Sequence, residues 1–210
     1  LFKPVRWSTF LRDLFVIEIG LGLFGVAIAV MIRANLGTSP WVVLEVALAG
    51  LLGITPGTMT VIAGAVVLSG ALLLREQIGW GTLANILSIG PWIDLTLWLL
   101  PPVTGRVFLQ TAMLLLAVGM MGLATAVYIG VGAGAGPRDS LMLALHRTFG
   151  WSLRRARATV EIIVVLTGWA LGGPAGAGTA VFALLIGPAV QAAFKLLRVE
   201  PHQPAPEPIN

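Results

Sequence analysis

The chain has no cysteine, one tyrosine, two histidines and nine acidic residues among 210. Without cysteine there are no disulfides, no thiolate metal sites and no sulfur nucleophile. The histidines are His146, near the end of an expected helix, and His202, close to the C-terminus. No His-Glu-x-x-His pair and no Gly-x-Ser-x-Gly elbow occurs, so neither a zinc hydrolase nor a serine hydrolase is encoded. No phosphate-binding loop and no paired intramembrane aspartates are found. The expectation is therefore a non-enzyme with no metal and no cofactor. Charge is scarce as well: Asp, Glu, Lys and Arg make up 10% of the chain, against about 25% in an ordinary soluble domain.

What remains is apolar. Hydrophobic residues are 57% of the chain, and the mean hydropathy is +0.94. Such a sequence cannot cover itself with polar atoms in water, so lipid must be its solvent. The net charge of +4 would suit nucleic acid in a soluble protein. Here the basic residues sit at the ends of apolar runs, which points to the membrane surface and excludes nucleic acid as a partner. The first such run, Leu14 to Ile32, follows Lys3, Arg6 and Arg12 and contains Glu18. It is long and lacks a clear cleavage site, so it reads as a first span and not a signal peptide.

Taken in order, the chain predicts six spans, at about 13–33, 56–75, 80–100, 106–130, 153–172 and 178–198, and two short helices. The short helices cover about 40–52 and 137–149. Pro40 and Pro137 occupy the first helical position, where a missing N–H costs nothing, and Gly53 and Gly150 stop them. Ser39, Thr55 and Ser152 read as N-caps. Thirteen residues at about 1.5 Å each give roughly 20 Å, too short for a bilayer core of about 30 Å. The expected helix breaks are Gly90-Pro91 in the third span and Gly187-Pro188 in the sixth. The ten residues from Pro201 to Asn210 include four prolines and read as a disordered tail.

Residues Gly37–Asp94 align without a gap on Gly134–Gln191. Pro40 meets Pro137, Gly53 meets Gly150, Thr55 meets Ser152, Gly79-x-Gly-Thr82 meets Gly176-x-Gly-Thr179, and Gly90-Pro91 meets Gly187-Pro188. Matched breakers and caps at one offset mark an internal repeat. The expected organisation is a first membrane repeat at 1–105, a second at 106–198 and the tail at 199–210. Three spans per repeat is an odd number, so tandem repeats must lie in opposite orientations, the plan of many secondary transporters. With both termini cytoplasmic, only Arg33 and Arg106 of the 13 basic residues fall outside, a strong positive-inside bias. The fold class is thus an all-α polytopic membrane protein of six transmembrane helices, built as two inverted three-helix repeats, each with a short re-entrant or interfacial helix.

Several motifs recur in one order: Leu36-Gly-Thr-Ser-Pro-Trp41, Gly79-x-Gly-Thr-x-x-Asn85, Gly136-Pro-Arg-Asp-Ser140, Glu161 and Gly178-Thr…Gly187-Pro188. Together they resemble the YczE/YyaS/YitT family of bacterial integral membrane proteins, its YczE-like branch most closely, over roughly residues 10–195. The resemblance implies a membrane protein and supplies no substrate. It also implies an acidic residue after the Pro-Trp pair, where this chain has Val42. Asp139 keeps the acid in the second copy.

Ionisable groups inside spans cost about 2.5–3.5 kcal/mol each at mid-helix, so they mark candidate sites. Glu161 lies nine residues past Ser152, about 13 Å into the fifth span, and Arg154, Arg157 and Glu161 share one helix face. The functional reading is a proton- or substrate-linked carboxylate on a cavity. The structural reading is an Arg157–Glu161 pair reaching toward the cytoplasm. Asp94 follows the Gly90-Pro91 break and pairs in the repeat with Gln191. Arg138 and Asp139 open the second short helix, where Asp139 suits the helix dipole. Asn85 reads as a bond across helices, while Glu45, facing water, and Glu18 are weaker candidates. Arg147, Arg154 and Arg155 form a candidate surface for anionic lipid headgroups. Gly130-x-x-x-Gly134 and Gly168-x-x-x-Gly172 fit close helix packing, within the chain or across a homodimer. The leading functional reading is a small-molecule transporter or permease of the bacterial inner membrane, its substrate unspecified, with proton coupling through Glu161. The alternatives are a non-transporting accessory or scaffold protein and a protein that binds anionic lipid.

Overall fold

The computed structural model describes residues 7–199. Lys3, Arg6, His202 and the proline-rich tail beyond Val199 lie outside the described residues. The described residues fold into eight α-helices: α1 Phe10–Ala34, α2 Pro40–Leu52, α3 Pro56–Leu73, α4 Trp80–Leu99, α5 Val107–Gly130, α6 Pro137–Phe149, α7 Leu153–Ala170 and α8 Ala177–Leu197. Each of the last four begins 97 positions after its counterpart in the first four.

Local chemistry sets these boundaries. Proline has a fixed φ and no N–H, so it starts α2, α3 and α6 without losing a ladder bond. Gly53 and Gly150 end the short helices in the left-handed region, at φ 67° and 68°, and return their N–H groups to Ala49 O and His146 O. Thr55 Oγ1 accepts from Thr58 N at 3.1 Å and Ser152 Oγ accepts from Arg155 N at 3.2 Å. Ser39 departs from the expectation, because its hydroxyl makes no capping bond.

The expected breaks at Gly90-Pro91 and Gly187-Pro188 need correcting. Both α4 and α8 run through their proline without interruption. A proline has no N–H to donate to the ladder, and a helix in a membrane environment tolerates that loss through local adjustment of the freed backbone groups. Gly90 instead permits contact, since a Cβ there would stand 2.5 Å from Gly57 O of α3.

The centre of the molecule is the pair α1 and α5. Gln110 Nε2, near the start of α5, donates to Ala34 O at the end of α1 at 2.8 Å. Near the other end of α5, the Tyr128 ring lies 6.4 Å from Phe24, and Gly20 allows α1 to approach Ala124 O and Tyr128 N. The two helices are therefore antiparallel. Along α1, residues Glu18, Gly25 and Arg33 meet Ser88, Trp92 and Leu97 in turn, so α4 runs parallel to α1. Gly122 of α5 meets Ala189 of α8 in the corresponding place.

The halves are also tied crosswise. Gly178 N donates to Leu36 O at 2.7 Å, and Gly81 N donates to Ala133 O at 3.0 Å, the same bond displaced by the repeat offset in both partners. Thr82 Oγ1 adds a bond to Ala135 O at 2.7 Å. The short helices exchange as well: α2 packs on α7 and α6 packs on α3. Of the small-residue stripes read as dimer faces, Gly130, Gly134 and Gly168 are used inside the chain, and a Cβ at Gly172 would meet nothing within 4 Å. A Cβ at Gly168 would stand 2.6 Å from Leu44 N, one at Gly134 would stand 2.8 Å from Thr82 Oγ1, and one at Gly130 would touch Val199.

Four helices, α1, α3, α5 and α8, are long and apolar enough to cross a membrane. With 18 to 25 residues each, they extend about 27–38 Å. Large apolar side chains such as Leu73, Trp98, Phe108 and Leu184 point outward on these helices and on α4, a surface suited to hydrocarbon and unsuited to water.

Candidate functional site

The two halves differ where α3 meets α4 and α7 meets α8. In the first half, Gly57 and Gly64 let α3 close on Gly90, Asp94 and Ile86 of α4. One repeat offset later, α7 carries Arg154 and Glu161 in place of those glycines. A guanidinium and a carboxylate cannot enter a glycine contact, and α7 and α8 barely touch. A cavity of about 650 Å³ reaches that gap from the centre of the molecule.

Its wall draws on both halves. Arg154, Arg157 and Glu161 come from α7, Gln191 from α8, Asn85 from α4, and Thr125 and Tyr128 from α5. The first turns of both short helices reach it too, through Ser39, Pro40 and Trp41 of α2 and Gly136, Pro137, Arg138 and Asp139 of α6. Phe24, Ile28, Ile86, Ile89, Met121, Phe182 and Ile186 supply an apolar side. Among the described residues no cluster of His, Cys, Asp or Glu is arranged to hold a metal.

The charges are mostly engaged. Arg157 Nε donates to Glu161 Oε1 at 2.9 Å, with Glu161 the more buried of the two. Tyr128 Oη is 3.4 Å from Asp139 Oδ2. Burial pushes the Asp139 carboxyl above the usual carboxylate range, and the guanidiniums of Arg157 and Arg138 offset part of that rise. Arg138 forms an ion pair with Glu45 of α2 and lies over the Trp41 ring, 5.1 Å from its centroid.

Three sequence expectations change here. Glu45 does not face water: it is 1% exposed, bound to Arg138 and to Thr60 Oγ1 at 2.8 Å. Asp94 is not on the cavity wall. Its carboxylate accepts from Gly57 N at 2.8 Å and from the Thr55 hydroxyl, so it holds the N-terminus of α3. The arginine surface is divided: Arg147 pairs with Glu76 at 3.1 Å and donates to Leu74 O, Arg155 lies over Trp151, and Arg154 lines the cavity. Asn85, Arg138, Asp139, Arg157, Glu161 and Gln191 do meet at the cavity. Glu18 stays apart, accepting from Ser88 Oγ and Trp92 Nε1.

Sequence reasoning missed the Glu45–Arg138 pair and the wall residues Ser39, Trp41, Tyr128 and Thr125. Glu45 did carry a signal. It is the sole charge in an otherwise apolar thirteen-residue helix, and a lone buried acid requires a partner.

Residues 11–195 match a family described as a family of unknown function (DUF6198). The chain belongs to that family. A Haemophilus influenzae relative described as "Uncharacterized protein" is 31% identical over 94% of this chain and 90% of its own length. The Bacillus subtilis "Uncharacterized membrane protein YczE" is 33% identical over 87% of this chain and 82% of its own. "Uncharacterized protein YyaS" of the same organism is 27% identical, covering 77% and 82%. The chain thus stands in the YczE-like group that its motifs resemble, among relatives that include a described membrane protein. No solved structure matches it.

Proposed function

We propose that this protein is a six-span carrier of the bacterial inner membrane, with both termini cytoplasmic, that moves a small solute through the cavity between two inverted repeats. The observation that carries the proposal is the difference between α3–α4 and α7–α8. One packing unit is closed in the first repeat and open in the second, within a single chain. A carrier of inverted repeats needs two such arrangements, exchanged as one repeat rocks against the other around a central site.

Three further facts support it. The corresponding helices α1 and α5 are antiparallel, as inversion requires. Adding α4 and α7 to the four helices that are both long and apolar enough to cross gives three crossings per repeat; α4, at 20 residues, and α7, at 18, have the length. Glu161 and Arg157 sit on the cavity wall inside α7, and intramembrane ionisable groups mark solute or proton paths.

In this reading Glu161, on the cavity wall inside α7, is the group that couples a proton to the exchange of α7 and α8 between open and closed packing. Arg157 holds the carboxylate in the open arrangement. The test is solute flux in liposomes with and without a pH gradient. Glu161→Gln should abolish gradient-driven flux while solute binding persists. Flux that is driven equally well in the variant would remove the proton from the mechanism. An inert vesicle across a broad solute panel, with the protein folded, would remove the carrier.

A further inference from the structure

The N-terminus of α2 is built like that of α6 but lacks its acid. In α6 the first turn contains Asp139, an internal anion beside the free amides. The equivalent position in α2 is Val42, and no acidic residue lies in that turn. The amides of Trp41 and Val42 have no carbonyl four residues back within the helix, and the helix dipole adds partial positive charge there. Ser39 and Trp41, at 5% and 8% exposure, are more than nine-tenths buried. Neither Ser39 Oγ nor Trp41 Nε1 has a hydrogen-bond partner. Both residues belong to the cavity wall, and the Arg138 guanidinium stands over the Trp41 ring.

Two buried donors without partners, Ser39 Oγ and Trp41 Nε1, thus sit with the first turn of α2 on the cavity wall, and the Arg138 guanidinium stands beside them over the Trp41 ring. We infer that this part of the cavity binds the anionic group of an organic anion, a carboxylate or a phosphate, whose apolar body lies against Phe24, Ile28, Ile86 and Met121. Helix N-termini are common anion sites for the same reasons. A cavity of about 650 Å³ falls within the usual range of roughly 300–1,000 Å³ for small-molecule sites. The inference rests on the carrier reading for its biological meaning, and on the α2 terminus alone for its chemistry. Ser39 and Trp41 act as binding residues, and Glu45 is a positioning residue that holds Arg138 in place.

The probes are phenylacetate and phenyl phosphate, with phenethylamine and phenethyl alcohol as matched cation and neutral. Binding to the full chain in detergent is followed by the shift in melting temperature and by calorimetry. The two anions should bind, and the amine and alcohol should not. Ser39→Asp places a carboxylate at a favoured N-cap position, supplying internally what the ligand would bring. It should weaken anion binding at least about tenfold by like-charge repulsion without lowering the ligand-free melting temperature. Ser152→Asp, an equal charge at the N-cap of α7 outside the cavity wall, should bind as the parent does. Should Ser39→Asp fail to fold, Trp41→Phe removes only the indole N–H and should cost roughly tenfold or more.

Nanodiscs of phosphatidylglycerol and phosphatidylcholine identify the source. Stabilisation by the former alone, lost in Ser39→Asp, would assign the site to a lipid headgroup of the same chemistry. Equal binding of anion, amine and alcohol, or undiminished anion binding in Ser39→Asp and Trp41→Phe, would overturn the inference. Flux separates this from the carrier reading. Anion binding without flux of any solute sinks the carrier and leaves the site. Flux of a cation or neutral solute with no anion binding does the reverse.

Discussion

Arg138 and Glu45 provide a severe test of the packing. They come from α6 and α2, the short helices of different repeats, and Glu45 is almost wholly enclosed. Replacing Arg138 by Met leaves the carboxylate with Thr60 as its remaining polar partner. An uncompensated buried charge of this kind costs about 3–5 kcal/mol. Arg138 keeps some contact with solvent, which places the expected loss toward the lower end. Glu45→Leu should also destabilise, because it removes the carboxylate that pairs with the partly buried guanidinium. The double variant Arg138→Met/Glu45→Leu should regain most of the loss, since an apolar pair of similar volume is often neutral or better. The coupling energy is then about 2–3 kcal/mol, well above the few tenths seen for independent sites. Reversible unfolding in mixed detergent, followed by tryptophan fluorescence, measures all four corners of the cycle. Additive single losses, or an Arg138→Met variant as stable as the parent, would refute the assignment of a buried interhelical ion pair.

Other consequences are simpler. Gly57→Ala should destabilise by about 1–3 kcal/mol or more, because its Cβ would fall 2.1 Å from Gly90 O; Gly50→Ala, with nothing within 4 Å, should be neutral or stabilising by up to about 1 kcal/mol. Unfolding of the two variants side by side checks both. Thr82→Val should cost about 1–3 kcal/mol, because Ala135 O would lose a buried donor, and the same unfolding assay reads it. Asp94→Asn should loosen the start of α3 and leave solute binding in place, since Asp94 holds a helix end and is absent from the cavity wall.

Much of this architecture was legible because short-range chemistry wrote it. The bounds of α2 and α6 follow from a proline at the first position and a glycine in the left-handed region, and these signals act within one turn. The paired motifs at Gly79–Thr82 and Gly176–Thr179 were visible as a repeat. Their purpose was not, because each bonds to a loop of the opposite half, at Ala133 or Leu36. Proline at 91 and 188 misled for a related reason. In a soluble helix it usually breaks or kinks the ladder, and in a helix of membrane-spanning length the freed backbone groups can be accommodated locally. Glu161 was singled out by its depth in an apolar helix and does reach the cavity wall, whereas Asp94 was judged by the same rule and turned out to hold a helix end. The rule finds charges that need partners and does not distinguish a cavity from a cap. The cavity itself had a trace in the alignment, in Gly57 and Gly64 opposite Arg154 and Glu161. That trace reads as an opening only once α3 is seen packed on α4.

The inverted arrangement is the claim on which the carrier reading depends, and the absence of native cysteine makes its test clean. Single replacements Gln77→Cys, between α3 and α4, and Leu171→Cys, between α7 and α8, mark equivalent turns of the two repeats. Labelled in intact spheroplasts with a membrane-impermeant maleimide, Leu171→Cys should react at once and Gln77→Cys only after the membrane is opened. Reaction of both from the same side would contradict the inversion and the exchange of states built on it.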